Sequence, residues 1–252
     1  FMDVRSSEMT KYVANSFLAT KISFINEMSN LCELLGADIE MVRNGIASDS
    51  RIGKQFLFPG IGFGGSCFPK DVKALIRTAK LNNYRSGILE SVDERNQLQR
   101  SAFLEKVLRH YGEDLSGKTF AVWGLAFKPR TDDMREAPSI TVIGELLARG
   151  ARIKGFDPKA GETARQIFGD RIEYAESSYE AARDADAVLL LTEWNEFRRP
   201  DFDKLKGLMR RPVLFDGRNQ FDPERIVGRG FHYECMGRPV ANKSAETATA
   251  TA

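Results

Sequence analysis

The sequence predicts an α/β protein in which an all-helical domain is followed by a domain built on a parallel sheet. Two patterns predict it. Residues up to about 112 place apolar side chains at helical spacing over long stretches, without strand alternation. From Lys118 onward, short apolar runs alternate with helical segments, as strands joined by covering helices do.

The first helix runs from about Glu8 to Leu35, with Met9, Tyr12, Val13, Phe17, Phe24, Met28, Leu31, Cys32 and Leu35 in helical register. Gly36 stops it. Lys11, Asn15, Lys21, Asn26 and Glu27 interleave with the apolar residues, so part of the polar face is expected to line a site. Asp38 caps a second, short helix, IEMVRNGI. The stretch from Ser48 to Cys67 contains QFLFPGIGFGGSC, rich in glycine and aromatics, and reads as an ordered loop. Pro69 suits the first turn of a third helix, PKDVKALIRTAKL, because that position needs no amide hydrogen. A fourth helix, from about Ile88 to Tyr111, carries Leu89, Val92, Leu98, Phe103, Val107 and Leu108.

In the second half TFAVWG reads as a strand, SITVIGELLARG as a helix ending on Gly150, and RIKGFDP as a strand. EAARDAD reads as a helix, AVLLLT as a strand, DFDKLKGLM as a helix, and VLFDGR and FHYECMG as strands. Such alternation makes this half a Rossmann-like domain. The predicted boundaries are 1–112 for the helical domain, 113–240 for the Rossmann-like domain, and 241–252 for a small, polar, disordered tail.

Composition narrows the function. Lys and Arg number 37 against 35 Asp and Glu, a formal charge of +2, which lacks the clustered basic excess of a nucleic-acid or membrane-surface binder. No apolar run approaches ~20 residues, so neither a membrane span nor a membrane partner is expected. Three widely spaced cysteines, Cys32, Cys67 and Cys235, form neither a disulfide framework nor a zinc pattern, and point to a reducing, cytoplasmic setting. With two histidines, His110 and His232, a His-based triad or metal centre is disfavoured, and no metal is expected.

The most informative segment is GFGGSCFPKD, Gly62 to Asp71. Gly62, Gly64 and Gly65 let backbone amides approach a ligand closely. Cys67 stands at the entrance of the helix that Pro69 opens, where unpaired amides, the helix dipole and Lys70 favour a thiolate. Asp71 follows within one turn. Taken alone, a cysteine is more often a small buried apolar residue. This combination favours a nucleophile.

GFGGSCFPKD, the helix SSEMTKYVANSFLATKISFINE, the run DSRIGKQFLFPG and the segment VWGLAFKPRTDDMREAPS together resemble the UDP-glucose/GDP-mannose dehydrogenase family, in the UDP-glucose 6-dehydrogenase branch. The resemblance extends from about Met2 to Pro239. UDP-N-acetylmannosamine dehydrogenases typically carry a His before the cysteine, where this chain has Ser66. A GDP-mannose dehydrogenase is the nearer alternative.

The resemblance implies oxidation of the C6 alcohol of UDP-glucose to the carboxylate of UDP-glucuronate, with two NAD consumed. It implies Cys67 as the nucleophile that forms a thiohemiacetal and then a thioester. Lys11, in E-x-x-K-Y-x-x-N, would stabilise the oxyanion, Asn15 would position C6, and Asp71 would move protons through a water. Arg51, Phe58, Gly60, Gly62, Phe63 and Gly64 match the substrate loop, with Arg51 reaching the neighbouring subunit's substrate. Several relatives carry a Lys where this chain has Phe58. Phe127, Lys128 and Arg218 match further substrate contacts, and Lys70 and Arg135 contacts near NAD. Read without the family, Lys11 and Asn15 would be a solvated helix face and the arginines surface charges.

Asp157 ends the second strand, where a ribose-binding acid can sit, yet Gly124 begins GLAFKP rather than G-x-G-x-x-G. An independent dinucleotide site is therefore not expected there, and this domain is expected to hold UDP. In the family a NAD-binding Rossmann domain precedes the first helix. None of its motifs occurs here, so the chain alone is expected to be inactive. The long apolar helices predict a homodimer through the helical domain. A non-catalytic nucleotide-sugar-binding module is the alternative from another class.

Overall fold

The computed structural model describes residues 1–240. The expected tail, 241–252, lies outside the described residues. Four helices come first: α1 (Val4–Leu35), α2 (Ile39–Ala47), α3 (Phe68–Leu81) and α4 (Gly87–Tyr111). Their ends follow the sequence signals. Asp3 and Asp38 cap α1 and α2 by accepting from the Ser6 and Glu40 amides, and Gly36 closes α1 in the left-handed conformation. The segment between α2 and α3 is loop, as its glycines and aromatics predict.

The remainder is a doubly wound sheet domain. Its strands are β1 (Thr119–Trp123), β2 (Arg152–Phe156), β3 (Glu173–Tyr174), β4 (Ala187–Leu190), β5 (Val213–Asp216) and β6 (His232–Cys235). All pair in parallel, in the order β3-β2-β1-β4-β5-β6, so the order reverses between β1 and β4. The covering helices are α5 (Pro138–Ala148), α6 (Gly161–Phe168), α7 (Ser178–Ala182), α8 (Phe202–Leu208) and α9 (Pro223–Gly228).

Two helices and a strand went unread in the sequence, α6, α9 and the two-residue strand β3, as did the short 3-10 turns Gly169–Arg171 and Asn195–Phe197. One segment is corrected. EAARDAD is not a helix throughout, because α7 ends at Ala182, Arg183 is extended and Asp184 takes a positive φ of 56°. The Ser177 hydroxyl, which accepts from the Glu180 amide, sets that helix earlier than the alanines suggest.

Alternate residues on each strand serve opposite faces. Phe120 and Val122 of β1 join one core with Phe215, Leu146 and Phe168, while Ala121 and Trp123 join another with Phe197, Leu214 and Tyr233. The first core also takes Phe103, Leu104 and Val107 from the second half of α4. α4 thus spans both parts of the molecule, its start packed with α1 and α3 through Val92, Ala19 and Val72. Removing fully buried Phe103 would destabilise that joint by about 3–5 kcal/mol.

α1 has its faces reversed from the usual arrangement. Asn15, Ser16, Ser23, Asn26 and Ser29 are buried, whereas Met9, Val13, Phe17, Phe24 and Leu31 are exposed. Part of the buried polar face is paired: Ser23 donates to Val92 O and Asn26 Oδ1 accepts from the Gly60 amide, while Ser16 Oγ and Asn26 Nδ2 have no partner among the described residues.

Candidate active site

Cys67 is the N-cap residue of α3, with an exposed side chain and a free thiol. Its Sγ lies 3.8 Å from Ser66 Oγ. One turn on, Asp71 is buried and points back toward α1. Asn15 Nδ2 donates to Asp71 Oδ2 at 2.5 Å, and Lys70 Nζ lies 3.0 Å from Oδ1. Burial pushes the Asp71 carboxyl up, but the Asn15 hydrogen bond, Lys70 and the charge of Lys11 outweigh it, and the group sits below its ordinary value. α1 and α3 therefore bring Lys11, Asn15, Lys70 and Asp71 together beside Cys67. This carboxylate is fixed at both oxygens and stays ionised well below neutrality.

The loop before Cys67 is held by polar side chains from α1 and α4. Asn96 clamps Phe63 at both backbone atoms, accepting from N at 2.8 Å and donating to O at 3.0 Å. Arg100 donates to Phe63 O and Glu136 O, and Gln99 to Gly60 O. The loop also pairs with the sheet domain, through Ile61 N to Gly217 O and Gly65 N to Arg135 O. Its glycines serve these approaches. A Cβ on Gly64 would run into Glu136 O, and one on Gly65, whose φ is +87°, would lie 2.7 Å from the Phe127 ring. The spaces expected to admit a ligand at these two positions are filled by the second domain.

A cavity of about 260 Å³ opens where loop and sheet domain meet, lined by Ile22, Gln55, Phe56, Phe58, Gly62, Phe63, Gly64, Phe68, Phe127 and Arg218. Gly64 and Phe68, on either side of Cys67, both reach it. A cleft of about 520 Å³ shares Phe58 and Arg218 with it and adds Pro59, Glu193, Arg198, Asn219 and Gln220. Together they have the room of a small-molecule site, typically about 300–1,000 Å³. The buried Nε2 of Gln220 has no hydrogen-bond partner among the described residues and is a spare donor beside the cleft.

Arg218 is aimed by Asp216 at the end of β5. Asp216 is fully buried and accepts from the amides of Arg218, Gln220 and Phe221 and from the Tyr233 hydroxyl. Burial raises its pKa against those hydrogen bonds. The guanidinium reaches Leu191 O at 2.7 Å and Glu193 Oε2 at 3.2 Å, with Gly62 O and Phe127 O within 3.5 Å.

Of the residues expected to form the site, Phe58, Gly62, Phe63, Gly64, Phe127 and Arg218 line the cavity. Gly60 lies behind it, with room for a Cβ closed by Gly217 O at 2.9 Å. Lys128 is exposed, its Nζ 5.2 Å from the centre of the Phe127 ring. Arg135 is exposed and paired with Asp133. Arg51 does not line the cavity; it is exposed and held by Asp49. The sequence reading missed Phe56, whose φ of 63° turns its backbone into the left-handed region at the cavity wall. It also missed Asn96, Gln99 and Arg100, whose polarity does not set them apart on an amphipathic helix that also carries Glu90, Asp93, Glu94, Arg95 and Gln97.

Two family models match the chain. The central domain of the UDP-glucose/GDP-mannose dehydrogenase family covers residues 5–98, and its UDP binding domain covers residues 121–223. The chain belongs to the UDP-glucose/GDP-mannose dehydrogenase family. It is 50% identical over 245 residues to the UDP-glucose 6-dehydrogenase of Pseudomonas aeruginosa, covering 95% of this chain and 54% of that protein. It is 46% identical over 239 residues to the UDP-glucose 6-dehydrogenase of Rhizobium meliloti, covering 95% and 54%. A solved UDP-glucose dehydrogenase from the hyperthermophilic archaeon Pyrobaculum islandicum superimposes with a TM-score of 0.80 at 38% identity, covering 86% of this chain and 48% of that one. The chain thus spans about half the length of the dehydrogenases it matches.

The crevice between β1 and β4, where the strand order reverses, is where a sheet of this kind binds a dinucleotide such as NAD, which membership of the dehydrogenase family implies. The residues do not fit it. Asp157 Oδ2 accepts from the Leu125 and Ala126 amides and from Trp194 Nε1, and Oδ1 from the Lys159 and Ala160 amides. Thr192 Oγ1 donates across the gap to Ala126 O at 2.6 Å, and its side chain fills the space beside Gly124. The amides a pyrophosphate would need are taken by the protein's own carboxylate. No helix among the described residues is long and apolar enough to cross a membrane.

Proposed function

We propose that this chain is the substrate-binding, cysteine-bearing portion of an NAD-dependent UDP-glucose 6-dehydrogenase. The observation that carries the reading is the grouping of Lys11, Asn15 and Asp71 on α1 and α3 next to Cys67, whose chain neighbour Phe68 lines a cavity together with Phe127 and Arg218. The relatives named UDP-glucose 6-dehydrogenase support the substrate. NAD is the hydride acceptor, two per turnover, held by a part of the enzyme outside these residues.

In this reading the UDP diphosphate lies along Arg218, which exchanges backbone carbonyls for phosphate oxygens, since an arginine fork suits them. Phe56, Phe58 and Phe127 offer flat apolar surface to base and sugar. The Cys67 sulfur adds to the C6 aldehyde carbon, and Lys11 with the Asn15 amide meets the oxyanion that forms. The intermediate, oxidised to a thioester, is hydrolysed by a water from which Asp71 takes a proton, freeing the carboxylate product and the thiol. Lys70 and Arg135, both exposed, face the cofactor.

The working unit is a homodimer formed through α1. Met9, Val13, Phe17, Phe24 and Leu31 recur every four or seven residues and are exposed, an apolar stripe that a second copy would cover. Arg51, away from its own cavity, would then serve the partner's substrate. Three free cysteines are in keeping with a cytoplasmic enzyme.

Calorimetry with UDP-glucose, UDP and GDP-mannose tests the binding half. UDP-glucose should bind this chain without turnover and more tightly than GDP-mannose, and Arg218→Ala should abolish it. Preference for GDP-mannose would overturn the substrate assignment. In the whole enzyme Cys67→Ser should stop turnover while keeping UDP-glucose affinity; unchanged turnover would overturn the mechanism.

A further inference from the structure

The chain has two histidines, and the fold brings both to one place far from Cys67. His110 lies in the last turn of α4 and His232 opens β6, an edge strand. Their ring centroids are 4.3 Å apart, with the planes tilted by 43°. Glu234, two residues on, shares the strand face of His232. Its side chain is only 5% exposed, and its Oε1 lies 2.9 Å from His232 Nε2. Arg109 donates to the other oxygen, Oε2, at 2.6 Å.

We propose that His110, His232 and Glu234 form a binding site for a divalent transition metal of the zinc type, clamping the end of α4 to β6. One donor atom from each side chain lies within 4.8 Å of the other two. Bonds of about 2.0–2.2 Å would draw these donors closer together than that. His110, exposed at a helix end, can supply the movement by turning its side chain. Two imidazoles and a carboxylate are a donor set that zinc takes with water in the fourth place, while magnesium and calcium prefer oxygen throughout. Arg109 orients the carboxylate from behind, as outer partners of metal ligands do. Arg211 also faces the cluster, and its charge with that of Arg109 weakens the site without removing a donor.

The site lies apart from the chemistry, so its test needs no turnover. Cobalt(II) is titrated into the chain carrying Cys67→Ser, which removes the exposed thiol as a competing ligand. The expected result is one equivalent bound, with visible ligand-field absorption, displaced by zinc. His110→Ala, His232→Ala and Glu234→Gln should each weaken binding at least tenfold, and zinc should raise the melting temperature of the parent but of none of the three. His110 is exposed, so its variant stays folded and keeps the test decisive should a β6 variant unfold. No binding by the parent, or equal binding by His110→Ala, overturns the proposal and leaves the cluster a hydrogen-bonded contact between α4 and β6.

Discussion

Replacing Asn96 with alanine should loosen the loop that presents Cys67. Asn96 is 4% exposed and makes two hydrogen bonds to one residue, Phe63. Losing the carboxamide oxygen strands the buried Phe63 amide, a penalty of about 1–3 kcal/mol. Losing the nitrogen removes about 1 kcal/mol more, since Arg100 still donates to Phe63 O. The expected destabilisation is about 2–4 kcal/mol, read as a lower midpoint in equilibrium urea unfolding. Gln97→Ala, at an exposed neighbour on the same helix, should stay within about 0.5 kcal/mol of the parent. Because Phe63 lines the cavity, UDP affinity should fall as well. Equal midpoints for the two variants would refute the assignment of Asn96 as the clamp.

Gly65→Ala must displace the Phe127 ring and adopt a φ of +87°, so it should lower the melting temperature and weaken UDP binding together. The Asp71 carboxyl, followed by carbon-detected NMR, should titrate below the ordinary aspartate range and move up in Asn15→Ala. The sign follows from linkage: with the folded pKa depressed, the stability these partners supply is present above the ordinary range and lost as pH falls through the lowered value. Phe17→Glu with Phe24→Glu should convert a dimer to a monomer in light scattering, and a dimer that survives both excludes α1 as the interface.

Much of the backbone was legible because its signals are local. Gly36, Asp38 and Pro69 act within one turn of helix, and each marks a real boundary. The buried strands were legible because parallel strands with covered faces are continuous apolar runs. What local pattern could not tell was direction. The apolar stripe of α1 is plain in the sequence, but only packing reveals that it points outward while Asn15, Ser23 and Asn26 point in. The site divides in the same way. Cys67 and Asp71 share a helix start and were found together, whereas Asn96 and Arg100 meet the loop from a distant helix. GFGGS announced a close approach but not by what: at Gly64 and Gly65 the neighbour is the second domain. β3 and α9 are too short to carry a period, and α6 offers few apolar residues.

Asp157 has a consequence for selectivity. A carboxylate that occupies the amides at the head of the sheet is a tenant already seated where a dinucleotide's phosphates would go. A fold of the dinucleotide-binding type thereby leaves a dinucleotide no free amides at that place, and in the proposed function its ligand surface is displaced to the end of β5, where Arg218 stands. Raising NAD should therefore leave the affinity of this chain for UDP unchanged.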